Sequence, residues 1–240
     1  MQLIIHIKNT DDFSIPMSYN YQLMSAIYRL IGGNDSLSEF IHNGGYRSGE
    51  AAFKLFCFSP LCGDHRISGK QIIFDSSISF EVRSPSGEFI DTLRFALFEQ
   101  GNIRLFDRDL EVKMIEYLDR HINNHTMRIR TSSPIVLKQT IDGRQTVCYS
   151  PEDSEFDELI NLNLYRKFTA AFGIEPPSTV DLTLTSRPKK VVTRIKGTWV
   201  TAYHASFEMH AHPAVAQLLY DTGLGSRNSQ GFGMFDILEG

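Results

Sequence analysis

An α+β fold of two tandem ferredoxin-like (RRM-like) βαββαβ domains is what this 240-residue sequence predicts, on three observations. Runs of alternating apolar and polar residues interleave with runs of helical periodicity in the order strand, helix, strand, strand, helix, strand. That is the order of an antiparallel sheet with both helices on one face. The same order recurs in a second half, joined to the first near Asn123-Asn124, with negligible sequence identity between the halves. A hydrophobic content of 42% against 22% charged builds cores in a soluble chain and rules out disorder, fibre and disulfide scaffold. The domains expected are 1–122 and 123–240.

Leu3 to Lys8 reads as the first strand. Gln22 to Ile31 sets Leu23, Ala26, Ile27, Leu30 and Ile31 on one helical face, and Gly32-Gly33 stops that helix. Ala52 to Ser59 alternates Phe53, Leu55 and Cys57 against Lys54, Phe56 and Phe58, which predicts one continuous strand with Lys54 pointing away from the Phe53 face. Ile78 to Val82 is the next strand, Gly87 to about Gln100 the second helix, and Leu110 to Leu118 the closing strand. In the second half Met127 to Thr131 is a strand, and Glu155 to Phe172 a helix stopped by Gly173 and Pro176-Pro177. Val180 to Ser186 and Thr198 to His210 are strands flanking a basic segment, Pro213 to Gly223 a short helix, and Met234 to Leu238 the last strand.

No apolar run approaches the roughly 18 residues of a bilayer span, and the alternating start is unlike a secretory leader, so a cytoplasmic protein without membrane contact is expected. Cys57, Cys62 and Cys148 form no CxxC pair and read as buried thiols. The net charge of −4 argues against a surface that coats nucleic acid over its whole extent. Its distribution says more: Leu182 to Phe207 holds Arg187, Lys189, Lys190, Arg194 and Lys196 and no acid. Such a charge run is often a solvated face, but five uncompensated cations on a hairpin favour contact with RNA phosphates.

The most specific signal is Gly223-Leu-Gly225-Ser226-Arg227-Asn228-Ser229-Gln230-Gly231-Phe-Gly233, between a helix and the last strand. Glycines permit positive φ and close approach, so backbone N–H groups there can line a concavity that holds a phosphate or RNA backbone, where the plainer reading is a flexible turn.

Such a loop near the carboxyl terminus of a chain with two ferredoxin-like halves resembles the repeat-associated RNA-binding superfamily of CRISPR systems. Within it, Phe40-Ile-His42-Asn-Gly-Gly-Tyr46 followed by Phe53-Lys54-Leu-Phe56-Cys-Phe-Ser59-Pro resembles the Cas6 family of repeat-RNA endoribonucleases. The resemblance runs from the first strand to Gly233. It implies metal-independent cleavage of CRISPR precursor RNA by the 2′-hydroxyl before the scissile bond, leaving a 2′,3′-cyclic phosphate and a 5′-hydroxyl, with no cofactor. The catalytic histidine, lysine and helix-borne tyrosine of the family fall on His42, Lys54 and Tyr28. An imidazole can serve either proton transfer and a cation stabilises charge on the phosphorane. The partners implied are CRISPR repeat RNA, other CRISPR-associated effector subunits and a second copy of the chain.

Each residue has a plainer reading. His42 suits a helix C-terminal cap before Gly44-Gly45, Tyr28 a core tyrosine with a wet hydroxyl, and Lys54 a solvated strand lysine. The link between His42 and Lys54 carries Tyr46, Arg47 and Glu50 and leaves the choice of base open, as it does the division of acid and base roles between His42 and Tyr28. The same features also fit a catalytically silent repeat-RNA-binding subunit of an effector complex, or an RNA module of unrelated biology. His121 with His125 and His210 with His212 have spacings a metal could share but lack a carboxylate or thiolate pattern, so no metal site is expected. His6 and His204 read as satisfied strand histidines.

Overall fold

The alternation of Leu3, Ile5 and Ile7 with Ile4 and His6 makes the first strand two-sided: the first set is buried, the second half-exposed. The computed structural model describes residues 1–8, 13–141 and 145–238. Its first half runs β1 (Gln2–Ile7), β2 (Phe13–Pro16), α1 (Asn20–Ile31), α2 (Asp35–His42), β3 (Tyr46–Ser48), β4 (Ala51–Phe53), β5 (Cys57–Phe58), β6 (His65–Ser68), β7 (Gln71–Phe74), β8 (Ile78–Arg83), α3 (Gly87–Gln100), β9 (Asn102–Leu105) and β10 (Arg108–Leu118). The second half runs β11 (Thr126–Thr131), β12 (Lys138–Ile141), β13 (Gln145–Cys148), α4 (Phe156–Phe172), β14 (Val180–Leu184), β15 (Lys189–Ile195), β16 (Thr198–His204), β17 (Ser206–Ala211), α5 (Pro213–Thr222) and β18 (Phe235–Leu238).

Two antiparallel sheets carry the fold, in the orders β5-β8-β1-β10-β9 and β14-β17-β11-β18. With the edge strand β9 set aside, both show the second–third–first–fourth order of a βαββαβ unit, so the tandem ferredoxin-like reading is correct. Each sheet buries one face under its helices. Leu3, Ile5, Phe80 and Val82 pack with Phe89, Ile90 and Leu93 of α3, and Ile129, Phe207 and Phe235 pack with Ile160, Leu164 and Leu219. The three-stranded sheet β2-β7-β6 and the hairpins β3-β4, β12-β13 and β15-β16 lie outside these two sheets.

The strand expected over Ala52 to Ser59 is broken. β4 ends at Phe53 and β5 starts at Cys57, with Leu55 in the left-handed region at φ 42°. Leu55, Phe56, Cys57 and Phe58 are all buried, which a simply alternating strand cannot achieve, and Ser84 Oγ donates to the Leu55 carbonyl at 2.8 Å to hold the bend. The strand expected over Thr198 to His210 likewise divides at Ala205 into hairpin strand β16 and sheet strand β17. Of the cysteines only Cys57 is buried; Cys62 is exposed and Cys148 half-buried.

A buried polar seam fixes one half against the other. Arg83, 2% exposed, donates to the Phe235 carbonyl at 2.6 Å, pairs with Glu81 and with Asp236 at 3.3 Å, and lies 3.8 Å above the Tyr220 ring. Tyr220 in turn donates its hydroxyl to Gln2 at 2.8 Å. A buried guanidinium with all these partners tolerates little displacement, so the halves meet in one geometry. Among the described residues no helix is long and apolar enough to cross a membrane.

Candidate active site

Helix α1 buries Leu23, Ala26, Ile27, Leu30 and Ile31, which leaves Tyr21, Met24, Ser25 and Tyr28, at i, i+3, i+4 and i+7, along a neighbouring stripe. That stripe forms one wall of a cleft of about 520 Å3. Helix α2 supplies the next group. Asn34 caps its start by accepting from the Leu37 N–H at 3.1 Å, and its last residue is His42. The chain then reverses through Gly44 and Gly45, both at positive φ; a Cβ on Gly45 would lie 2.5 Å from the Phe53 carbonyl oxygen. This tight turn lays the end of α2 against the strand leading to Lys54, and the bend at Leu55 turns Lys54 toward the cleft while Phe56 enters the core.

Tyr28, His42 and Lys54 thus line one cleft. The Tyr28 and His42 rings are 5.4 Å apart between centroids, and Lys54 Nζ sits 4.8 Å from the centre of the Tyr28 ring. Burial pushes the Tyr28 phenol up to about 12, with a hydrogen bond to Ser229 pulling the other way, so it carries its proton at neutral pH. Burial, then the charge of Lys196, draws Lys54 below the ordinary lysine range. His42 does end a helix, as its plainer reading has it, yet it is exposed and faces the cleft.

The second half closes the cleft with Lys196, Ser229 and Gln230. Of the five cations of the basic segment, Arg187, Lys189, Lys190, Arg194 and Lys196, all are exposed, and Lys196 is the one that lines the cleft. Lys189, Lys190 and Arg194 lie along the hairpin, where Lys190, Val192 and Arg194 pair with Tyr203, Thr201 and Trp199, and Arg187 lies just before it.

The glycine loop differs from its expected form. Gly223, Gly225, Gly231 and Gly233 are buried, and Ser226, Arg227, Asn228, Ser229 and Gln230 are half-buried. Its N–H groups are mostly committed inside the protein: Gly223 to Leu219, Leu224 to Gly233, Ser226 to Val136, Gly231 to Asn228 and Gly233 to Pro134. The glycines therefore allow dense packing, while Gly225, Ser226, Arg227, Asn228 and Ser229 line a further pocket together with Lys54. Asn228 ties the loop by donating to the Leu224 and Phe232 carbonyls, and Asn20 at the start of α1 donates to the carbonyls of Gln230 and Gly231.

Sequence reasoning missed the residue at the centre of this packing. Lys167, 1% exposed, donates to the carbonyls of Gly223 (2.7 Å) and Gly225 (3.3 Å) and to Asn228 Oδ1 (2.9 Å). Burial draws its pKa down to about 7. A signal existed: with Ile160, Leu164 and Phe168, Lys167 falls on the apolar stripe of α4, where a lysine needs internal acceptors.

Among the described residues no group of three or more His, Cys, Asp or Glu is disposed to hold a metal. His125 lies near His210 and His212, but His210 Nδ1 is engaged by the Thr126 hydroxyl and His212 Nδ1 accepts from the Ala214 N–H. His6 pairs with Glu116 and His204 with Thr131.

Fold and cleft together define a class: a tandem ferredoxin-like protein whose first domain brings a histidine, a tyrosine and a lysine to a cleft walled by a loop and a hairpin of the second. Within that class the chain belongs to the Cas6 family. Residues 14–116 match the family described as CRISPR-associated protein Cas6, N-terminal, and residues 116–237 match CRISPR associated protein Cas6, C-terminal. The chain is 31% identical over 234 residues to CRISPR-associated endoribonuclease Cas6 1 of Methanocaldococcus jannaschii, covering 94% of this chain and 88% of that one. It is 26% identical over 231 residues to CRISPR-associated endoribonuclease Cas6 of Pyrococcus furiosus, covering 94% and 84%. A solved structure of a CRISPR associated protein Cas6 superposes with a TM-score of 0.83 at 25% identity over 100% of this chain and 99% of that one.

Proposed function

We propose that this protein is an endoribonuclease that cuts CRISPR precursor RNA within its repeats, without a metal ion, through attack of the 2′-hydroxyl on the adjacent phosphate. The observation that carries the reading is the meeting of Tyr28, His42 and Lys54 in one cleft, in a chain whose relatives are named CRISPR-associated endoribonucleases. His42 takes the proton of the 2′-hydroxyl as the 2′-oxygen bonds to phosphorus. The bond from phosphorus to the 5′-oxygen breaks, and that oxygen takes a proton from Tyr28, which solvent replaces. A phenol that keeps its proton at neutral pH suits the donor role and not that of base. Lys54 offsets the charge that grows on the phosphorane oxygens. The products are a 2′,3′-cyclic phosphate and a 5′-hydroxyl, atoms and protons balancing without a cofactor. The division of labour follows the chain: 1–122 carries the three reacting groups, and 123–240 supplies the hairpin and the glycine loop. Ile122 packing into the second core supports a boundary close to that point.

Labelled repeat RNA incubated with the protein in EDTA should be cut to fragments bearing these ends. RNA with a 2′-deoxy sugar 5′ of the cut should stay whole; its cleavage would sink the mechanism. His42→Ala should slow single turnover by roughly 10²-fold or more with affinity nearly unchanged. Equal loss of binding and rate would make His42 a helix cap, and tight binding without any cutting by the wild type would make the chain a silent RNA-binding subunit.

A further inference from the structure

Two lysines reach the cleft from opposite halves, and each lies over a tyrosine of α1. Lys54 Nζ is 4.8 Å from the Tyr28 ring centre, and Lys196 Nζ is 4.7 Å from the Tyr21 ring centre. The tyrosines are seven residues apart, two helical turns, so the two cation–ring units repeat along one face of α1 at a spacing of about 10 Å. That exceeds what one phosphate can span, so the two cations would meet different phosphates of a strand.

The backbone marks Lys196 independently. Ile195 pairs with Thr198, so Lys196 and Gly197 alone form the two-residue connection of the β15–β16 hairpin, and both have positive φ, 46° and 83°. A turn of this kind takes Asn or Gly readily at its first central position, whereas a lysine there is held in a sparsely populated conformation. The apolar packing of the hairpin is made by Ile195, Val200 and Ala202 with Tyr21 against them, and Lys196 itself is exposed, its Nζ over that ring. What the strained position does is carry an ammonium group to the cleft.

We propose that Lys196 over Tyr21 is a second phosphate subsite, which grips a phosphate flanking the scissile one and so aligns the strand for in-line attack beside Lys54. Lys196 is then a positioning residue whose contribution appears in rate more than in affinity, unlike the rest of the basic strip. The proposal rests on the endoribonuclease reading above. A cation held at a flanking phosphate fixes the distance between the 2′-hydroxyl and the phosphorus without touching either, and small misplacements at that stage cost large factors in rate.

Lys196→Asn is the informative variant, because Asn-Gly suits this turn and the hairpin should fold with unchanged or higher Tm. With saturating protein, single turnover on unmodified repeat RNA should slow roughly tenfold, while affinity for a 2′-deoxy, uncleavable RNA changes by less than about threefold. The decisive series uses RNAs carrying one neutral methylphosphonate at successive positions around the cut. At one flanking position the neutral linkage should slow the wild type and leave Lys196→Asn unaffected. If no position separates the two proteins although both cut unmodified RNA, or if Lys196→Asn cuts at the wild-type rate, the subsite is refuted and the endoribonuclease reading stands. If the wild type does not cut at all, both fall.

Discussion

The glycine loop and the basic hairpin both come from the second half and border the same cleft, yet they are built oppositely. The loop buries its glycines, keeps its polar centre half-buried, is threaded by internal hydrogen bonds and is anchored on a lysine with three oxygen acceptors. The hairpin leaves Arg187, Lys189, Lys190 and Arg194 in solvent, with Trp199 69% exposed among them. In sequence both read as RNA contacts. In the structure the loop is a packed wall that sets Ser229 beside Tyr28, and the hairpin is a charged arm that ends in Lys196.

The sharpest way to break that contrast is one methyl group. At Gly233, φ 75°, an added Cβ would lie 2.0 Å from the Leu224 carbonyl oxygen, a backbone atom that cannot yield. Gly233→Ala should cost about 3 kcal/mol or more and abolish cleavage, read as a large fall in Tm with loss of single-turnover activity. A variant with wild-type Tm would show that the loop is pliable.

Lys167→Met comes next. It leaves three oxygen acceptors without their donor, an expected loss of roughly 2–4 kcal/mol in denaturant unfolding. Its pH dependence is diagnostic. With a folded-state pKa near 7 and an ordinary lysine value when unfolded, the unfolded chain binds the extra proton between those values. Wild-type stability should therefore rise with pH from about 7 toward the ordinary lysine value, by up to about 1.4 kcal/mol per unit, and level off at its lower value below 7. Lys167→Met should lack this component; identical slopes in the two proteins would show that the ammonium stays charged in the fold.

On the hairpin the effect moves to the RNA. Neutralising Lys189, Lys190 and Arg194 together should weaken binding of uncleavable repeat RNA and flatten its salt dependence, by roughly 0.7 of log-log slope per lost contact on single strands. The cutting rate at saturation should hold. Parallel slopes would make the strip a solvated face. The smallest expected effect is Gly197→Ala, also at positive φ but where its Cβ would meet only the Arg194 guanidinium, at an ordinary contact distance of 4.0 Å. About 1 kcal/mol of stability should be lost, against the collapse at Gly233.

What could be read from the chain follows from how local each cause is. Helix α3 has the predicted bounds because its stops are adjacent in sequence: Ser86 caps it through the Phe89 N–H, and Gly101 ends it at φ 65°. The repeated strand order needed only periodicity. The bend at Leu55 was invisible because its cause, Ser84 and a core facing both sides of the chain, lies nearly thirty positions away. Likewise β2, β6 and β7 are four-residue strands, too short to leave a pattern, and β6 is exposed throughout. Tyr28, His42 and Lys54 were found through a family pattern. That Lys196 joins them required the hairpin register, which spacing does not supply.

The cleft has a timetable. Synthesis delivers Tyr28, His42 and Lys54 early, the hairpin tip much later, and Ser229 and Gln230 later still. Arg83 waits for the carbonyl of Phe235 before the seam between the halves can close. A chain still emerging from the ribosome therefore holds these three side chains but not the walls that close the cleft around them. The cleft closes only when β18 is in place, so a copy that stops before β18 holds Tyr28, His42 and Lys54 without their surroundings.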